Sequence, residues 1–179
     1  IKDNSNKNKF VDILYKVVEG KQYHLSKVHI TGNNLISKKK ITKILGLKID
    51  SPYNPVGLND NLYLLENEYH NLGKLFATIT VKDEIKDSVE IKIDIDEGKY
   101  IYINNTRIEK KGNIDSAIVI RELNYDSGDL FSKIKVDQSS KQLRELGIFS
   151  TANIYPERSS ISDTLVNMVI DLRLSLIHI

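Results

Sequence analysis

Val89, Ile91, Ile93 and Ile95 alternate with Glu90, Lys92, Asp94 and Asp96, the period of a strand with one buried face. Strands are also predicted over 164–172 and in two aromatic and β-branched runs at 23–31 and 100–108, which close on Gly32-Asn33 and Gly112-Asn113. Between the strands the period lengthens. Ile41, Ile44 and Leu45, and likewise Ile118, Val119 and Leu123, predict short helices over 38–45 and 115–123, with Ser37 and either Asp115 or Ser116 as N-caps. Leu58, Leu62, Leu65, Tyr69 and Leu72 form one apolar stripe and predict a longer helix over 58–72. Its counterpart over 134–146 presents Val136, Leu143 and Leu146 on a face that Ser139 and Ser140 interrupt. Gly73 and Gly147 follow these helices where a left-handed C-terminal residue is wanted. The remaining strands, 75–83 and 149–157, are expected to pair with 88–96 and 164–172.

The pattern therefore occurs twice. Glu19-Gly20-Lys21 returns as Glu97-Gly98-Lys99 at an offset of 78 residues, and the turns at 49–53 and 126–131 align with Tyr53 matching Phe131. Each unit is strand, helix, helix, strand, strand, with the strands in one layer and the helices in the other, so the fold class is α+β. Residues 10–20 resemble 89–98 and are expected to be the last strand of a truncated preceding repeat, with the polar run 2–9 as its hairpin loop. The expected division is 1–20, a repeat at 21–97, a repeat at 98–173, and a tail at 174–179 that matches no element. The tail resembles the translation of a sequencing-library adapter and is expected to be non-native. In the first strand of both copies the buried parity slips, from Tyr23 and Leu25 to Val28 and Ile30, and from Ile101 and Ile103 to Thr106 and Ile108. A β-bulge or a handover between repeats would produce the slip.

Composition narrows the function more than it defines it. The 179 residues hold no cysteine, which excludes disulfides and thiolate metal sites, and a net charge of +2 gives no case for a phosphate backbone as partner. No run approaches the roughly 18 apolar residues of a membrane-spanning helix. His24 and His29 stand five apart on one strand, hence on opposite faces if it is regular, and His70 lies on a helix, so no metal site is spaced for. Asp94, Asp96 and Glu97 read as the wet face of a strand. No nucleophile elbow or phosphate-cradling glycine loop is present, so no enzymatic activity and no cofactor are expected. Lys38-Lys39-Lys40 read as a solvated helix start, with contact to anionic headgroups or a partner as the alternative.

The order of elements, the Gly-Asn after the first strand and the Glu-Gly-Lys between copies resemble tandem POTRA domains. Arg121-Glu122-Leu123, Gly128-Asp129-Leu130-Phe131 and Leu143-Arg144-Glu145-Leu146-Gly147-Ile148-Phe149 are especially similar to those of BamA-type outer-membrane assembly factors. Two departures are the Lys74-Leu75-Phe76 that follows Gly73, where the family puts an aromatic, and the Lys110-Lys111 before Gly112. The resemblance implies tandem β-α-α-β-β repeats, each a three-stranded mixed sheet covered by two antiparallel helices, on the periplasmic side of the bacterial outer membrane. It implies unfolded outer-membrane clients and accessory assembly lipoproteins as partners, and a membrane link through a C-terminal barrel. No nucleic acid is expected.

Docking by strand addition would then fall on the second strand of each repeat. Its candidate residues are Phe76, Ala77, Thr78, Ile79, Thr80 and Val81, and Thr151, Ala152, Asn153, Ile154 and Tyr155. Ala77, Ile79 and Val81 also read as plain core residues whose backbones alone would serve a client. Glu19, Gly20, Lys21, Glu97, Gly98 and Lys99 are the expected joints between repeats, short and strand-like. The alternatives are the same module in another barrel-linked transporter, of the two-partner secretion or TamA-like kind, and a structural spacer that binds no client.

Overall fold

The computed structural model describes residues 13–111 and 114–175. The first repeat runs β1 (Leu25–Thr31), α1 (Lys38–Ile44), α2 (Pro55–Asn71), β2 (Thr78–Ile85) and β3 (Val89–Asp96). The second runs β4 (Tyr102–Lys111), α3 (Ser116–Arg121), α4 (Lys133–Glu145), β5 (Phe149–Arg158) and β6 (Leu165–Leu174). The strands form two mixed sheets, β1-β3-β2 and β4-β6-β5. In each, the first strand lies parallel to the last and the last two are an antiparallel pair. The α+β class and the twice-repeated element order hold.

Local chemistry sets the ends. Ser37 Oγ accepts the Lys40 N–H and starts α1, and Asp115 accepts the Ala117 N–H and starts α3. α2 begins three residues ahead of its apolar stripe, because Asn54 accepts the Gly57 N–H and Pro55 occupies the first turn. The stripe is buried at Leu58, Leu65 and Tyr69 but ends there, since Leu72 caps the helix and is exposed. On α4 the two serines belong to the buried face. Ser139 accepts the Asn124 N–H at 2.8 Å and donates to the Lys135 carbonyl at 2.8 Å, so its polar burial is satisfied.

Both parity slips are bulges. The β1–β3 register shifts between Leu25 and Lys27, and the β4–β6 register between Ile103 and Thr106. Before each bulge the strand also bonds the turn ahead of the longer helix. The Leu25 N–H donates to Ser51 O and the Asp50 N–H to Leu25 O, while Ile103 makes the same pair of bonds with Asp129 and Gly128. Asp50 (φ 64°) and Gly128 (φ 91°) thus hold one left-handed position in the two copies. The bulge also changes the histidine geometry. It carries both His24 and His29 to the exposed side of β1, and among the described residues no three metal-binding side chains cluster.

The ends differ from expectation in two ways. Residues 13–22 form no strand, with Leu14, Tyr15, Val17 and Val18 exposed; residues 10–12 and the loop 2–9 lie outside the described residues, as do Gly112 and Asn113. At the other end Leu174 belongs to β6 and pairs with Phe149, and the Ser175 N–H donates to Ile148 O. The strand therefore runs one residue into the expected tail and a backbone bond reaches the next; 176–179 lie outside the described residues.

Candidate functional site

Among the described residues β2 and β5 each pair on one side only, so each offers a free edge. The direction of their backbone groups follows from the hairpins. The Lys86 N–H donates to Ser88 O at 3.0 Å, and the β2–β3 register continues from there without a shift. Even-numbered residues of β2 therefore bond β3, and Ile79, Val81, Asp83 and Ile85 turn their N–H and C=O outward. The Val89 N–H donating to His24 O on the opposite side of β3 fits the same phase. In the second repeat the Ser159 N–H donates to Leu165 O, and an unshifted register reaches Thr151. Odd-numbered residues bond β6, and Ala152, Ile154, Pro156 and Arg158 face the free side.

The first candidate strand is shorter than expected. Thr78, Ile79, Thr80 and Val81 lie in β2, with the threonines exposed and Ile79 and Val81 packed against the core of their own repeat. Ala77 precedes the strand, its N–H held by Lys74 O. Phe76 is not an edge residue at all. It joins Leu75 on the core formed by Ile101, Ile103, Tyr125 and Phe131 of the other repeat, with the Arg158 guanidinium 3.6 Å above its ring. Thr151, Ala152, Asn153, Ile154 and Tyr155 all lie in β5. Asp83 on β2 accepts a hydrogen bond from the Tyr53 hydroxyl at 2.9 Å; burial first, and then that bond, push the Tyr53 pKa up to about 12. Of the lysines at the start of α1, Lys40 pairs with Glu68, and Lys38 and Lys39 are exposed.

The Glu97-Gly98-Lys99 motif joins the two repeats by facing both ways. Glu97 is buried and its Oε1 accepts the N–H groups of Asn34 and Leu35, each at 2.8 Å, which ties the strand end back to the β1–α1 loop. Gly98 turns the chain at φ 61°. Lys99 reaches forward to Asp163 at 2.6 Å, an exposed pair of small energetic weight. The loop after α2 completes the joint. Lys74 is 7 % exposed; its ammonium donates to Gly98 O at 2.9 Å and lies 3.7 Å above the Tyr100 ring. Gly73 O accepts the Ile101 N–H, and Asn71 Oδ1 accepts the Ile134 N–H at 2.8 Å. That last bond caps α4 from the other repeat, since Ser132 at its own N-cap position makes no side-chain bond. Glu19, Gly20 and Lys21 are exposed; nothing lies within 4 Å of a Cβ position at Gly20, and the Lys21 ammonium lies 5.0 Å from the Tyr23 ring.

Asn71, Gly73 and Lys74 were not among the expected joint residues. The one sequence signal for them was the lysine standing where an aromatic was expected after Gly73.

His70 adds a titrating group to this joint. Burial lowers its pKa from 6.5, the Glu66 carboxylate opposes that, and the Lys133 ammonium adds to the lowering. The folded chain thus holds this proton less tightly than the unfolded one, so acidification through and below pH 6.5 removes stability. His70→Gln is expected to flatten the fall in thermal midpoint between neutral and mildly acidic pH. An unchanged slope would assign that fall to other groups.

Among the described residues the chain is thus two mixed-sheet repeats of one topology, each with its second strand at an edge, joined through a hydrogen-bonded turn. Residues 23–98 match the POTRA family model, described as a surface antigen variable number repeat. The fold is that of solved BamA POTRA structures. POTRA3-5 of Haemophilus influenzae BamA aligns at a TM-score of 0.74 and 19% identity over 87% of this chain and 63% of that one. Haemophilus ducreyi BamA lacking POTRA domains 1-3 aligns at 0.73 and 16% identity, over 86% of this chain and 30% of that one. A putative outer membrane protein assembly factor of Treponema pallidum is 29% identical over 79% of this chain and 17% of its own length. BamA of Nitratidesulfovibrio vulgaris is 26% identical over 77% of this chain and 18% of its own length. Residues 23–98 are thus similar to a POTRA repeat, the chain as a whole has the fold of BamA POTRA structures, and it is similar in sequence to BamA-type assembly factors. It spans about a fifth of the length of those two relatives.

Proposed function

We propose that this chain is part of the periplasmic arm of an outer-membrane protein assembly factor, which docks unfolded β-barrel segments and accessory lipoproteins by strand addition and passes clients toward a membrane barrel. It works as a scaffold without chemistry of its own, its units being residues 21–97 and 98–173. The observation that carries this reading is the free edge of β2, where Ile79, Val81, Asp83 and Ile85 present unpaired N–H and C=O groups. Backbone pairing is nearly indifferent to side-chain identity, which suits a factor receiving many different clients.

Ile79→Pro tests the reading directly. The Ile79 N–H points away from β3, so proline there removes a free-edge donor and leaves the hairpin ladder intact. Capture of an unfolded outer-membrane protein segment, followed by photocrosslinking to 78–85, is expected to fall roughly tenfold, the effect of losing one to two backbone bonds. Thr80→Val alters only the wet face and is expected to change capture less than about twofold. Undiminished capture by Ile79→Pro at unchanged stability would end the edge-docking reading.

A further inference from the structure

Within the strand-addition reading, we propose that Pro156 confines docking to the first repeat, making β2 the acceptor edge and closing β5 to an incoming chain. The two edges have the same place in their sheets and nearly the same length, yet their outward backbone groups differ. β2 turns four consecutive outward residues to solvent, all able to donate and accept. β5 turns out Ala152, Ile154, Pro156 and Arg158, and its third member has no N–H. A guest strand passing Pro156 meets ring carbons where its carbonyl needs a donor, and the unsatisfied carbonyl costs about 1–3 kcal/mol.

The outer end of the same edge is committed elsewhere. Arg158 spreads its guanidinium over Phe76 in the joint, so its side chain stands between the repeats and not beside a vacant strand position. What remains of β5 is Ala152 and Ile154, and the Ala152 carbonyl already accepts the Arg144 guanidinium at 3.1 Å, so the run is too short for a stable added strand. β1 and β4 are not alternatives. Each carries a bulge, and each gives its first backbone groups to the turn ahead of the longer helix.

The acceptor edge also specifies its guest. Side chains on one face of a strand laid against 79–85 would continue the row of Ile79 and Val81, and those on the other would lie beside Thr78, Thr80, Lys82 and Glu84. The matching guest is an extended chain of about seven residues alternating apolar and polar, which is the pattern of a β-barrel strand.

The probe is a lysine-ended dodecapeptide of alternating threonine and valine carrying a photocrosslinker, titrated onto the full 179-residue chain and onto its Pro156→Thr variant. The parent chain is expected to bind one peptide and to crosslink within 78–85 alone. Pro156→Thr is expected to bind two, with new crosslinks at 151–158, and Ile79→Pro combined with it to retain only the second. Crosslinks at β5 in the parent chain, or a Pro156→Thr variant still limited to one peptide, would overturn the role of Pro156 and leave strand addition standing. No capture at either strand in any variant would overturn strand addition itself, and this inference with it.

Discussion

Gly73→Val is expected to destabilise the chain by about 3 kcal/mol, measured as a lowered urea midpoint at constant slope. Gly73 sits at φ 79°, a left-handed conformation that a β-branched side chain adopts only under strain. A Cβ there would lie 2.5 Å from Leu130 Cδ1 and 2.6 Å from Leu130 Cγ, so the penalty is steric as well as torsional. Leu130 belongs to the other repeat, and Gly73 O is the acceptor for Ile101 N–H, so relief of the clash has to turn the partly exposed Leu130 side chain aside and loosen the joint at that contact. Spin labels placed on α1 and β5 should then report a broadened distance distribution, while each repeat keeps its own core. Gly20→Val is the internal control: nothing lies within 4 Å of its Cβ position, and the expected change is under about 0.5 kcal/mol. Equal effects at the two glycines would mean that the joint does not lie where the structure puts it.

The contrast between those glycines shows what was legible in the sequence. The strand and helix periods are written in adjacent residues, so Val89 to Ile95 and Leu58 to Tyr69 reveal their buried faces without tertiary knowledge. The bulges were legible for the same reason, as a slip of parity within one strand. The repeat offset carried the topology, since a motif that recurs brings its neighbours with it. The joint was only half legible. Glu97 and Gly98 stand in the recurring motif, but their partners Asn34, Leu35 and Lys74 lie between 24 and 63 residues away, and no local period records them. Phe76 misled for a related reason. An aromatic at the head of a β-prone run reads as strand, yet its ring belongs to the core of the next repeat. Ser139 and Ser140 misled because a polar residue can occupy a buried helix face when a backbone partner such as Asn124 N–H is brought to it from elsewhere in the fold. The edge phase needed the hairpin registers, which turn a proline within a strand into a statement about one side of it.

Glu97→Ala is expected to cost about 2–3 kcal/mol, because the carboxylate ties the end of β3 to the loop ahead of α1. One carboxylate oxygen takes two backbone donors, Asn34 and Leu35, in a loop that follows the left-handed Gly32 and leads into α1. Bonds to a charged acceptor contribute more than neutral ones, and deleting the acceptor leaves both N–H groups to find water at a site where Glu97 itself is buried. Tyr69 lies at the same place: burial first, and then the Glu97 charge, hold its pKa at about 12, so the hydroxyl stays neutral beside the carboxylate. Amide exchange at Asn34 and Leu35 should accelerate in Glu97→Ala, while the amides of β6 keep their protection. Glu97→Gln keeps an acceptor without the charge and is expected to lose about half as much. A variant as stable as the parent would show that the β1–α1 loop holds itself. The expected loss would instead make the glutamate the residue that closes one repeat before Gly98 turns the chain into the next, which is a reason for the three residues to travel together through an array.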